Sequence, residues 1–402
     1  MKVLCTAQMG TGTIMGQTMR VIAIAKALQR RGHDIQFIAA GKLVSIIKDF
    51  GIHVIEVEDM PEVEVYNDEQ RRLNMPKEEM TTKMKEVMNA IAKIEIEIGK
   101  REQPNLILSG TLSGSRTAQQ LGIPSMMVFL QPHGEKTFQM LADRLQGNGQ
   151  EESEKIIDGM IDVFKMADII ILEGMPEISG GITFEDFGQK FMGIKEKIRF
   201  TGPLLIEYPD QLPEKEDLKQ MHMGDRNKLM VYITIGGGSS LIGEQFLKIV
   251  LDALRLIPEV TGIIATGMVI QPEVILQYDP PNNAMIKGYV PGTEMIKASD
   301  VTVFHGGSST LMTCIACGTP AVVVPSIGEQ EDNGAVLSEY GAGIVLNKAT
   351  LTADILVKAI QNIINNPSYR RGAEHLKSLG EKYGGSKVAA DWAETLMEGS
   401  SQ

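Results

Sequence analysis

The densest chemistry in this 402-residue sequence lies between Val301 and Asn333. A short apolar run (Val301, Val303, Phe304) leads into His305-Gly306-Gly307, and Ser308-Ser309-Thr310 follow as the expected start of a helix. Glycines let the backbone come close to a ligand, and the first N–H groups of a helix have no partner within it. With the positive end of the helix dipole, those groups form a seat for a phosphate. A second apolar run, Ala321 to Val324, ends at Pro325, and Glu329-Gln330 follow on what reads as a loop. In an open parallel sheet both segments lie at the carboxyl edge of the strands, where ligands bind.

Two other patterns carry less. Cys314-x-x-Cys317 has redox spacing but falls on the apolar face of the helix after His305. No second pair completes a zinc site, no metal is expected, and the two cysteines read as small buried hydrophobes. Gly10-x-Gly12-x-x-x-Gly16 after the first strand invites a dinucleotide reading. That reading needs an acid at the end of the second strand, which here ends Ala39-Ala40-Gly41.

The elements that must position these residues alternate. Val3–Thr6 reads as a buried strand, and a helix over about Gly16–Arg31 presents Val21, Ile24, Ala25 and Leu28 on one face. Strands at Ile35–Ala40, His53–Val57, Asn105–Ser109, Pro124–Leu130, Asp168–Leu172 and Ile198–Phe200 complete a first αβ half. Lys77–Lys100 reads as one long helix, and Phe138–Ala167 as largely helical. The rhythm restarts after a charged, proline-containing stretch, with strands at Leu229–Ile235, Gly262–Ala265 and Met285–Ile286 before the central stretch, and helices from Thr352 onward. The expected fold is α/β: two Rossmann-like doubly wound domains facing a central cleft. The boundaries read as residues 1–206, a linker over 207–228, a second domain over 229–385, and a last helix over 386–402 that returns to the first domain.

Composition bounds the function. With 39 basic and 51 acidic side chains the formal net charge is -12, which argues against non-specific binding to nucleic acid or anionic lipid. No apolar run approaches the roughly 18 residues of a membrane span, and Met1-Lys2-Val3-Leu4 leads straight into a strand. A cytoplasmic protein is expected, in keeping with three sparse cysteines; peripheral contact with a membrane surface stays open.

Gly288-Tyr289-Val290-Pro291-Gly292, His305-Gly306-Gly307, Cys317-Gly318-Thr319-Pro320 and Glu329-Gln330 with Asn333 resemble a donor-binding signature. It is that of nucleotide-sugar-dependent glycosyltransferases of the GT-B fold, close to the UDP-glycosyltransferases. Arg31-Gly32-His33-Asp34, Leu121-Gly122-Ile123-Pro124, Thr201-Gly202-Pro203-Leu204 and Val231–Gly236 resemble further family segments in the right order. The resemblance implies a hexosyltransferase-class enzyme, inverting and metal-independent, that takes a sugar from a UDP or dTDP donor and uses no other cofactor. It implies that His305 and the Gly306–Thr310 segment (Gly306, Gly307, Ser308, Ser309, Thr310) hold the diphosphate. Gly236, Gly237 and Ser239 would touch it from the facing loop, Tyr289 and Val290 would meet the base, and Glu329 and Gln330 would bind sugar hydroxyls.

The acceptor side departs from the family. Gln17 stands where the family has its histidine base, and Arg20 where it has a proline. Leu108-Ser109-Gly110-Thr111 lacks the acid that orients that base. Gly292 and Thr313 replace residues that meet the base and ribose. A glutamine cannot act as a general base near pH 7. Three readings follow. His133, on the loop after the fifth strand, is the base; or the acceptor is already an anion, held by Arg20 and Arg116; or the chain is a non-catalytic nucleotide-sugar-binding or auxiliary protein. The acceptor-side set is therefore Gly12, Gln17, Arg20, Arg116 and His133. A small-molecule or lipid-like acceptor fits, the latter if the Met-rich Met75–Met88 segment forms an apolar wall.

Overall fold

A computed structural model describes residues 1–7, 15–61, 77–131, 133, 136, 162–178, 193–236, 243–267 and 270–399. The first half is a seven-stranded parallel sheet in the order β3-β2-β1-β4-β5-β6-β7. Its elements are β1 (Lys2–Thr6), α1 (Met15–Arg30), β2 (Asp34–Ala39), α2 (Lys42–Asp49), β3 (His53–Glu56), α3 (Lys77–Glu102), β4 (Leu106–Ser109), α4 (Leu112–Leu121), β5 (Ser125–Leu130), β6 (Ile169–Glu173) and β7 (Ile198–Phe200). The central strands are near-continuous apolar runs because both faces are covered by helices. Most of the Phe138–Ala167 stretch lies outside the described residues.

The second half repeats the winding. It begins with α5 (Lys215–Met223), β8 (Leu229–Thr234), α6 (Gly243–Leu256), β9 (Val260–Ala265), α7 (Pro272–Leu276), β10 (Ala284–Lys287) and α8 (Gly292–Ala298). It continues with β11 (Val301–Phe304), α9 (Ser308–Cys317), β12 (Ala321–Val323), α10 (Gly328–Glu339), β13 (Gly343–Val345), α11 (Ala353–Asn365), α12 (Pro367–Glu381) and α13 (Gly385–Gly399). Its sheet runs β10-β9-β8-β11-β12-β13. Strand order therefore reverses beside β1 and β4 in one sheet and beside β8 and β11 in the other. Ligand crevices of open parallel sheets form at such switch points. The two Rossmann-like αβ halves of the expected fold are present.

One expectation is corrected and one gains detail. The stretch 207–228, expected as a linker, contains α5, whose Leu218 is fully buried in the core of the second half. Lys215 and Lys219 of that helix each reach Asp300 at 2.7 Å. Glu329 and Gln330 do not lie on a loop, because they form the first turn of α10.

The halves are joined beyond the chain crossing. Ala389, Ala390, Ala393 and Met397 of α13 pack into the same core as Val21, Ile24, Ala25 and Leu28 of α1. Arg31 meets Asp391 and Glu394 at 2.7 Å each, and His33 Nε2 lies 2.8 Å from Glu394. Met175 and Ile178, just after β6, are buried in the core of the second half. Between them, the Glu177 carbonyl accepts from the Tyr340 hydroxyl and its carboxylate from Tyr383, both at 2.7 Å. Among the described residues no helix is long and apolar enough to cross a membrane.

Candidate functional site

The second switch point is built around His305. β11 delivers the fully buried Phe304, and His305 follows with only 8% of its surface exposed. Gly306 turns the chain at φ +89°, where a methyl group would lie 2.6 Å from the Gln330 carbonyl oxygen. The first turns of α10 prop that turn from below: Asn333 Nδ2 donates to the Gly306 carbonyl at 2.8 Å, and Gln330 Oε1 accepts from the Ser326 amide at 2.9 Å. Two backbones clasp the imidazole. A methyl group on Gly236 would lie 2.6 Å from its Cε1, and one on Gly307 would lie 2.6 Å from its Nε2. Gly236 itself sits at φ +76°, so a side chain there is disfavoured twice over.

Burial pushes the His305 pKa down to about 4, so the ring is neutral near pH 7. Its Nδ1 is buried with no hydrogen-bond partner among the described residues. Gly307 precedes α9 in extended conformation and gives it no side-chain cap. An unpartnered ring nitrogen and an uncapped helix start therefore stand side by side, a pairing that a hydrogen-bonding anion satisfies. Tyr289 is 75% exposed, whereas Val290 packs against the core of the second half. Ser308 is buried, and Ser309, Thr310 and Glu329 are half-buried. Gly12, Gly237 and Ser239 lie outside the described residues.

On the opposite side Gln17 is buried and occupied at both ends. Its Nε2 donates to the Val128 carbonyl, and its Oε1 lies 3.4 Å from Arg20 Nη1. It lies over Gly110, just past β4, where a methyl group would be 2.9 Å from it. Arg20 is not solvated: it is 3% exposed. Its Nε meets Glu173 Oε2 at 2.5 Å, and its Nη2 crosses to Ser308 Oγ at 2.5 Å. Glu173 is fixed in turn, its Oε1 accepting from the Leu204 amide at 3.0 Å. Arg116 is engaged elsewhere, with Nη1 2.6 Å from Asn89 on α3, and does not join this cluster.

His133 is 4% exposed. Its Nδ1 lies 3.1 Å from the Ile178 carbonyl, which can only accept, so Nδ1 carries the hydrogen. Nε2 then carries the lone pair, buried and without a partner among the described residues. Burial, reinforced by the positive charge of Arg20, holds its pKa at about 4 against the hydrogen bond to Ile178, which raises it.

Sequence reasoning missed three residues here. Glu173 ends the buried strand Ile169–Glu173, and an acid at the carboxyl end of such a strand is itself a signal. Lys136 pairs with Glu331 across the cleft, and its backbone lies where a side chain on Gly328 would need to be. Glu95 is buried under the end of β1. It accepts from Thr6 at 2.5 Å, Thr117 at 2.8 Å and Ser113 at 3.0 Å, and burial pushes its pKa up. Its neighbours in sequence are charged and helical, which hides one buried acid among many solvated ones.

Comparison with known proteins agrees with the fold. Residues 266–381 match the family model for the C-terminal domain of erythromycin biosynthesis protein CIII-like proteins. An uncharacterised glycosyltransferase of Methanosarcina mazei is 25% identical over 95% of this chain and 96% of its own. The NDP-glycosyltransferase YjiC of Bacillus subtilis is 23% identical over 95% of each chain. The structure of a Streptomyces glycosyltransferase complexed with thymidine diphosphate covers 98% of this chain and 99% of its own, with a TM-score of 0.63 at 18% identity. The likeness spans nearly the whole chain: the fold is the two-sheet GT-B fold of these glycosyltransferases, and the sequence is similar to proteins of the UDP-glycosyltransferase-like kind.

Proposed function

We propose that this protein moves a sugar from a nucleoside diphosphate to a small-molecule or lipid-like acceptor, with inversion at the anomeric carbon and no required metal. The observation that carries the reading is the buried, unpartnered Nδ1 of His305 beside the uncapped start of α9. Negative charge builds on the diphosphate as its bond to the sugar breaks. Preorganised N–H groups and a helix dipole stabilise that charge without reorganising. In this reading the diphosphate lies on Gly306–Thr310 near Gly236, and the base lies against the exposed face of Tyr289 and the Val290 backbone. The sugar hydroxyls lie toward Glu329 and Gln330. The donor nucleoside is uridine or thymidine, the thymidine option being in keeping with the structural relative complexed with thymidine diphosphate.

The acceptor attacks from the first half. The new bond forms between its nucleophilic atom and the anomeric carbon as the bond to the diphosphate oxygen breaks, through an oxocarbenium-like transition state. The electron pair leaves with the diphosphate. The acceptor proton passes to Nε2 of His133, whose tautomer is set by Ile178. A second reading has one observation in its favour. Gln17 is tied at both ends where the family carries its base, which suits a donor-binding protein without catalysis.

A thermal-shift screen of UDP- and dTDP-sugars tests the common part, because a ligand that binds only the folded state raises the melting point by mass action. At least one donor should do so, and none doing so rejects the donor site. Slow release of free sugar from that donor, in the presence of EDTA, separates the enzyme from the binder. A product of retained anomeric configuration rejects direct displacement.

A further inference from the structure

We infer that Arg20 is a ligand of the donor diphosphate supplied by the opposite domain; the inference rests on the donor site proposed above. Arg20 sits in the second turn of α1, on the first sheet, yet its Nη2 reaches Ser308 Oγ, the first residue of α9 on the second sheet, at 2.5 Å. The first turn of α1 lies against the same point: a methyl group on Gly16 would be 2.9 Å from Ser309 Oγ. Two helix N-termini and a guanidinium thus converge. Each helix end carries roughly half a positive charge. Glu173, the carboxylate that contacts this cluster among the described residues, offsets the guanidinium alone. Adjacent His305 is neutral and contributes an unpartnered nitrogen. The cluster is therefore short of negative charge at the place where α9 has no cap.

A guanidinium has five N–H donors in a fixed fork. In Arg20, Nε is committed to Glu173, which is itself held by the Leu204 amide. That leaves the Nη edge facing α9, held there by Ser308 and only loosely by Gln17 at 3.4 Å. A phosphate on the α9 amides would take the Nη donors in place of Ser308 without disturbing Glu173. As the sugar–oxygen bond breaks, the diphosphate gains the electron pair of that bond, and Arg20 supplies the positive charge opposite it. This moves Arg20 from the acceptor to the leaving group. It also gives the Nη edge of so deeply buried an arginine a second anionic partner besides Glu173.

The test compares ligands as well as variants. Wild-type protein, Arg20→Lys and the neutral pair Arg20→Met with Glu173→Gln are titrated calorimetrically with UDP and dTDP and with uridine and thymidine, folding being checked by circular dichroism. The wild type should bind one nucleoside diphosphate at least tenfold more tightly than its nucleoside. The neutral pair should lose tenfold or more for the diphosphate and less than twofold for the nucleoside, with Arg20→Lys intermediate. If the neutral pair does not fold, Arg20→Lys decides by the same comparison. An unchanged diphosphate affinity, or equal losses for diphosphate and nucleoside, overturns the assignment of Arg20 while leaving the donor site standing. A wild type that binds no nucleoside diphosphate overturns both.

Discussion

Arg20 and Glu173 carry a stability consequence that does not depend on chemistry. Their side chains are 4% and 3% exposed, and removing one partner strands a buried charge. Arg20→Met alone should destabilise by about 3–5 kcal/mol, whereas the neutral pair with Glu173→Gln should fall within about 2 kcal/mol of wild type, as read from urea midpoints. His133 and His305 set a pH dependence. Both are held near pKa 4 against an ordinary 6.5, so the unfolded chain binds more protons between those values. Their contribution is complete above pH 6.5 and is lost as the pH falls toward 4, up to about 3 kcal/mol each. The fall in melting temperature between pH 6.5 and 5 should therefore be smaller in His133→Gln or His305→Gln. As a base, His133 should place the acid limb of kcat/KM near pH 4, and His133→Gln should lower kcat by about a hundredfold or more while donor binding is kept. An unaltered rate and profile would remove it from the mechanism. His305 was legible because its meaning is local: strand, histidine, two glycines, helix. Arg20 was legible as a candidate anion ligand, but its partners were not, because they lie 153 and 288 residues away and only the fold brings them together.

At the scale of elements, the strand–turn–helix at β11 and α9 and the long α3 follow from periodicity and glycine placement. Two elements did not. The helix α5 buries little beyond Leu218 and Lys219, so its charged sequence reads as a connector until Asp300 is in place to meet its lysines. The helix α10 opens on glycine and acids, which read as loop by propensity. Its burial of Asn333, Val336 and Leu337, with the Asn333 bond to Gly306, holds it as helix. That makes the His305 turn and α10 one unit. Gly306→Ala must both leave φ +89° and push on Gln330, so it should cost about 2–4 kcal/mol and abolish donor-induced thermal stabilisation. Gly399→Ala, at the end of α13, where the added methyl group meets nothing within 4 Å, is the control. Donor binding by Gly306→Ala at the wild-type level would show that the turn is not required.

Over the whole molecule, the two doubly wound sheets were legible from the alternation of apolar runs and the cleft between them from the family resemblance, but the contacts that cross the cleft were not. Cross-cleft contacts such as Lys136 with Glu331 join residues that no local pattern connects. The return of α13 to α1 has a measurable weight. Deleting everything from Gly385 onward strips Ala389, Ala390, Ala393 and Met397 from the core that holds Val21 and Leu28. The truncated chain should melt about 10 °C lower or more, or fail to accumulate in folded form. An unchanged melting temperature would show that the first sheet is complete without this helix.

That same helix sets a timetable for synthesis. Arg31 and Asp391 are separated by 360 positions, and a ribosome adding about 5–20 residues per second needs roughly 20 to 70 s to bridge them. For that interval α1 is out of the exit tunnel with one apolar flank uncovered. The half of the chain made first is thus the half finished last, and a nascent first sheet is a natural client for a chaperone until residues 385–399 arrive.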